Sequence, residues 1–162
     1  MFNAIVTATS MLFLTLLSTS AFAVRISETF EVSVSIPSAR FYVIPADPDW
    51  IHLEQHLPWN VGSEELGALR KHFDVKNDSG AIAARLSFEP YLSNGRDSDD
   101  IPLVVSFNSK RLTVDAEEVI SETDGKAGKR VNLEIAAVKP LNGFKPGEYY
   151  GSVHLVFEAI AP

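Results

Sequence analysis

Between residues 24 and 36 apolar and polar side chains alternate. Val24, Ile26, Phe30, Val32, Val34 and Ile36 share one parity and Arg25, Ser27, Thr29, Glu31, Ser33 and Ser35 the other, with Glu28 the single break in the apolar series. A period of two sets one parity on one face of an extended strand, and Pro37, which has no N–H to give to a ladder, ends it. A second alternation closes the sequence: Tyr149, Gly151, Val153, Leu155, Phe157 and Ala159 on one parity, with the polar Ser152, His154 and Glu158 on the other. This predicts a core-facing strand over residues 149–160. With no strand after it, its outer edge is expected to be an open row of N–H and C=O groups that a strand from elsewhere must pair.

Shorter segments rich in β-branched and aromatic residues lie between: 40–44, 72–76, 81–88, 103–107, 110–114 and 130–138. Turn-forming residues separate them, among them Asp78-Ser79-Gly80, Asn94-Gly95, Asn108-Ser109, Asp124-Gly125, Asn142-Gly143 and Pro146-Gly147. Short strands at this spacing predict an all-β sandwich. The one helix candidate, residues 63–69, starts with Ser63 and two glutamates but contains Gly67, which limits it to a single turn.

Residues 1–23 carry no charged side chain, hold the apolar run Met11 to Leu17 and end in Ala21-Phe22-Ala23, the pattern of a secretory signal with a small-x-small cleavage site. The departure is the missing Lys or Arg before the run. Composition adds exclusions: the chain has 162 residues, 46% apolar, which suits one domain. Twenty-one acidic against fourteen basic residues give a net charge of −7, so the averaged field repels a nucleic-acid backbone. The absence of cysteine excludes disulfides, thiolate metal sites and cysteine nucleophiles.

Candidate chemistry is thin. His52 and His56 are four apart, the spacing of two zinc ligands on a helix, but Glu54 is not adjacent to the first histidine, and Pro48 and Pro58 bracket the segment. Extended, it would point Ile51 and Leu53 inward and leave His52, Glu54 and His56 on a solvated face. The acidic stretch Asn94 to Asp100 lacks the ligand spacing of a calcium loop and reads as a charged hairpin tip, and Asp115 to Glu118 reads as a solvated run. No nucleophile elbow or phosphate loop occurs, so no catalytic residue, metal or cofactor is expected. Tyr42, Trp50, Trp59, Tyr91, Tyr149 and Tyr150 leave an alternative function open, an exported monomeric carbohydrate-binding module, and His52 with His56 a second, a metal-dependent periplasmic enzyme.

The alternating segment ending in proline, the absence of cysteine and the closing Pro146-Gly147-Glu148-Tyr149-Tyr150-Gly151-Ser152-Val153-His154-Leu155-Val156-Phe157 resemble the major subunits of CS1-type fimbriae, the alternate chaperone–usher pilins. The resemblance implies an incomplete immunoglobulin-like β-sandwich completed by a donor strand from a neighbouring subunit. The implied division is a signal over 1–23, a donor-strand extension over 24–36 and a pilin body over 37–162. Ile26, Phe30, Val32, Val34 and Ile36 would fill an acceptor groove walled by Val153, Leu155, Phe157 and Ala159. The implied partners are identical or related fimbrial subunits, a periplasmic chaperone and an outer-membrane usher, and the implied location is the cell-surface fimbrium. Spacing alone leaves open that residues 24–36 are the first strand of their own domain. Backbone ordering costs about 1 to 2 kcal/mol per residue, so a lent strand needs ladder hydrogen bonds as well as buried side chains.

Overall fold

Strict alternation builds the longest strands. In β4 (Leu69–Asn77) Phe73, Val75 and Asn77 are buried while Arg70 and His72 are exposed; in β7 (Ile101–Phe107) Ile101, Leu103, Val105 and Phe107 are buried; in β10 (Lys129–Ala137) Val131 and Leu133 are. These strands form the centre of the larger sheet in a computed structural model that describes residues 40–161. The predicted signal and the predicted strand over residues 24–36 lie outside the described residues.

The larger sheet runs β1-β4-β10-β7-β6, with β1 Phe41–Pro45, β6 Tyr91–Leu92, and β8 (Lys110–Arg111) paired to β7. The smaller sheet runs β11-β5-β9, comprising β5 Ile82–Leu86, β9 Glu117–Ile120 and β11 Leu155–Ala159. A separate hairpin pairs β2 (Trp59–Asn60) with β3 (Glu65–Leu66). Every pairing is antiparallel. The two sheets meet through aromatic rings: Phe107 stands 5.7 Å from Phe73 within the larger sheet and 4.8 Å from Phe157 of β11. Such offset contacts contribute beyond the area they bury.

On the outer face of the larger sheet, directly opposed residues of β4 and β10 carry opposite charges. Arg130 donates to both carboxylate oxygens of Asp74 at 2.7 and 2.8 Å, and Arg70 donates to Glu134 at 2.7 Å. The Arg130 hydrogen bond holds the Asp74 carboxyl below its ordinary range.

Several sequence expectations are corrected. The strand predicted from residue 149 begins at Leu155, because Tyr150 pairs instead with Ser93 beside the other sheet. The helical turn expected at residues 63–69 is replaced by hairpin β2–β3, whose turn is closed by Asn60 Oδ1 accepting from the backbone N–H of Gly62 and Ser63. The helix lies where a turn was expected at Asp124-Gly125: α1 (Glu122–Ala127) is capped by Ser121 and seats Gly125 against the β4–β5 turn. A Cβ at Gly125 would sit 2.5 Å from the Gly80 carbonyl oxygen, so only glycine permits that approach. The strand expected over 110–114 shrinks to β8, and part of the run read as solvated at 115–118 belongs to β9.

Candidate functional site

The smaller sheet ends at β11, and the register of that strand decides which way its backbone points. Ile160 N–H donates to the Ala81 carbonyl at 2.9 Å and the Ser87 N–H to the His154 carbonyl at 3.0 Å. In an antiparallel ladder such bonds recur at every second residue, so His154, Val156, Glu158 and Ile160 face β5 while the N–H and C=O groups of Leu155, Phe157 and Ala159 face the opposite edge. Among the described residues no strand pairs with that edge.

The same parity sends Leu155 and Phe157 into a groove of about 910 Å³ between the sheets, which Val153 also lines. Phe73, Leu133 and Ile135 form its floor; Val43, Trp50 and Leu53 form the wall opposite β11. Ala159 is exposed and is not part of the lining. The far wall is a loop, residues 46–58, held in shape by Gln55, whose Nε2 donates to the carbonyls of Trp50 and Leu53, both at 3.1 Å. Trp50 packs edge-on against Phe73 at 5.9 Å, and the Lys71 ammonium sits 4.9 Å from the Trp50 ring centre. Ile51 and Leu53, expected to point inward, do line the groove, yet they are 44% and 65% exposed because the wall they form is open to solvent.

A crossing marks one end of the groove. Ser93 and Tyr150 exchange two backbone hydrogen bonds of 2.9 Å, fastening the chain beside β6 before it passes over to β11. Gly151 makes the passage possible: a Cβ there would lie 2.1 Å from the Tyr91 carbonyl oxygen. The opposite end is tied by Asn77, a buried side chain whose Nδ2 donates to the Ala81 carbonyl at 2.7 Å and the Ile160 carbonyl at 3.4 Å.

The acidic stretch expected to be a solvated tip supplies a buried anchor. Asp99 accepts hydrogen bonds from Lys145 Nζ, Ser98 Oγ (2.9 Å) and Asn94 Nδ2 (3.4 Å), and these, the Lys145 bond foremost, pull its pKa down to about 2. Lys145 is thereby fixed, and Tyr149 donates its hydroxyl to the Lys145 carbonyl at 3.2 Å, so the pair positions the approach to the crossing. No spacing rule links Asp99 to Lys145, so sequence reasoning had no signal for it.

His52 and His56 are both exposed, and among the described residues no group of three His, Cys, Asp or Glu side chains is arranged to hold a metal. Of the aromatic residues considered for sugar stacking, Trp50, Tyr149 and Tyr150 line the groove, with Trp50 packed on Phe73, whereas Trp59 packs on Phe144.

A two-sheet antiparallel sandwich with a core-facing edge strand beside an apolar groove belongs to the class of immunoglobulin-like structural domains. The chain itself belongs to the CS1 type fimbrial major subunit family, whose family model matches residues 26–158. The fold is similar to the CooA pilin subunit from enterotoxigenic Escherichia coli, with a TM-score of 0.59 and 20% identity over 72% of this chain and 86% of that one. A chain from a structure of a chaperone–tip adhesin complex of CFA/I fimbriae biogenesis matches 75% of this chain and 43% of its own length, at 15% identity and a TM-score of 0.46. A search of curated protein sequences found no match. The protein is thus a pilin subunit of the chaperone–usher type, exported to the cell-surface fimbrium.

Proposed function

We propose that this subunit polymerises by noncovalent donor-strand exchange, residues 24–36 of one copy entering the groove of the next. Ile26, Phe30, Val32, Val34 and Ile36 would face the apolar interior, with Val153, Leu155 and Phe157 on the β11 side of the acceptor and Ala159 at its exposed end. The observation that carries this reading is the double role of Leu155 and Phe157, which turn apolar side chains into the groove and, toward its other edge, main-chain groups that no strand pairs among the described residues. An alternating strand satisfies both demands at once, hydrogen bonds from its backbone and burial from one parity of its side chains. Before assembly a periplasmic chaperone covers the groove, and an outer-membrane usher exchanges it for the next subunit's extension. The fibre serves adhesion, and the subunit's role is structural, without catalytic residues or cofactor.

Val32→Asp tests the reading, because an ionised carboxylate cannot be desolvated in an apolar groove. The expected result is loss of multimers on native size analysis of the exported protein. Normal fibres from this variant would overturn the donor assignment.

A further inference from the structure

Beyond the crossing, a second cleft of about 350 Å³ opens between hairpin β2–β3 and residues 144–149. Leu66, Ile101, Gly147 and Tyr149 line both this cleft and the groove, so the two spaces adjoin. Trp59 and Phe144, packed edge-on at 5.8 Å, both line it, and Trp59 remains 47% exposed. Ion pairs hold both walls: Lys139 to Glu65 at 3.6 Å, and Lys145 to Asp99.

We propose that this cleft seats the Ile36-Pro37 elbow of the donor segment from a second copy, a proposal that rests on the donor-strand reading above. β11 runs from the crossing toward Asn77, and β1 starts with Phe41 opposite Asn77, so each body begins at its own Asn77 end. Residues 37–40 span at most about 14 Å, so the next body must sit close to where Ile36 leaves the groove. Insertion parallel to β11 would bring Ile36 out at the Asn77 end, where the acceptor's own chain enters β1, and successive copies would crowd at one point. Antiparallel insertion brings Ile36 out at the crossing and stacks the Asn77 end of each copy on the crossing end of the last, a head-to-tail contact that repeats without closing.

There the next residue is Pro37. Its ring is apolar, its φ is preset and it has no N–H, so it enters an aromatic cleft without leaving a donor unpaired. Aromatic-lined grooves receive proline in other peptide complexes for the same reason. The residue before proline is held extended, which lets Ile36 keep the strand geometry to the end of the groove.

The cysteine-free chain allows a direct test in the full-length exported protein. Pro37→Cys combined with Phe144→Cys, and separately with Trp59→Cys, should give a ladder of covalent multimers under oxidising conditions that collapses on reduction, since a disulfide forms only when Cα atoms approach within about 7 Å. Pro37→Cys combined with Ala159→Cys should leave noncovalent multimers uncrosslinked. A ladder from the Ala159 pair, or multimers left uncrosslinked by both cleft pairs, overturns the seat while leaving strand exchange standing. Multimers that persist in Val32→Asp overturn strand exchange itself, and the seat with it.

Discussion

The two edges of the smaller sheet are finished in opposite ways. At β9, side chains from the β7–β8 hairpin cover the strand: Asn108 Nδ2 donates to the Val119 carbonyl at 2.7 Å and Lys110 Nζ to the Glu118 carbonyl, while Val119 and Ile120 are almost fully buried. At β11 the outward groups of Leu155, Phe157 and Ala159 meet no strand among the described residues, and the side chains beside them are only partly buried. An exposed edge is a template for any chain that can pair with it, and proteins ordinarily blunt it as β9 is blunted. This contrast is what the proposed strand exchange requires of β11.

The largest effect that would sharpen this contrast is at the centre of the closed part. Phe107→Ala, which removes the ring shared by Phe73 and Phe157, should cost about 3 to 5 kcal/mol, read from urea unfolding in the Val32→Asp background expected to be monomeric. Leu155→Ala in the same background should cost at most about 2 kcal/mol, the low end for a leucine, because its side chain is only partly buried in the isolated subunit. Equal losses at the two positions would break the comparison. Asn108→Ala exposes the β9 edge by leaving the Val119 carbonyl without its partner; a loss of about 1 to 2 kcal/mol is expected, measured by the urea midpoint.

The smallest effect lies at the crossing and depends on pH. The Asp99 pKa falls from 3.8 to about 2 on folding, so its contribution is fully present above pH 3.8 and is lost as pH falls toward 2. Asp99→Asn should remove that part of the acid-unfolding slope between those two values, measured by thermal unfolding across the range. An unchanged slope would mean that Lys145 is held by other contacts.

Much of the sandwich was legible because a period of two survives in any strand with one dry face. β4, β7 and β10 follow it, and their central residues were readable with boundaries extended by a few positions. The short pairings β2–β3 and β6–β7 were not, since two residues carry no period. Nor was α1: Ser121 and the acidic first turn are cap signals, but Asp124-Gly125 in a six-residue helix looks like a turn until Gly125 is seen against Gly80. Residues 149–154 failed for a different reason. Their alternation continues that of β11, yet the backbone of Tyr150 is claimed by Ser93, and Gly151, legible as an apolar-parity residue, is in fact the passage between sheets.

The sequence by itself determined the all-β class, the apolar parity of β11 and the alternating segment at residues 24–36, because hydrophobic period is a local property of the chain. Tertiary structure alone decided which edge of β11 no strand pairs among the described residues, which loop lines the groove beside it, and that a buried Asp99 fastens Lys145 beside the crossing. These depend on long-range pairing, in which residues distant along the chain compete for the same hydrogen-bonding groups, and no local pattern records which of them wins.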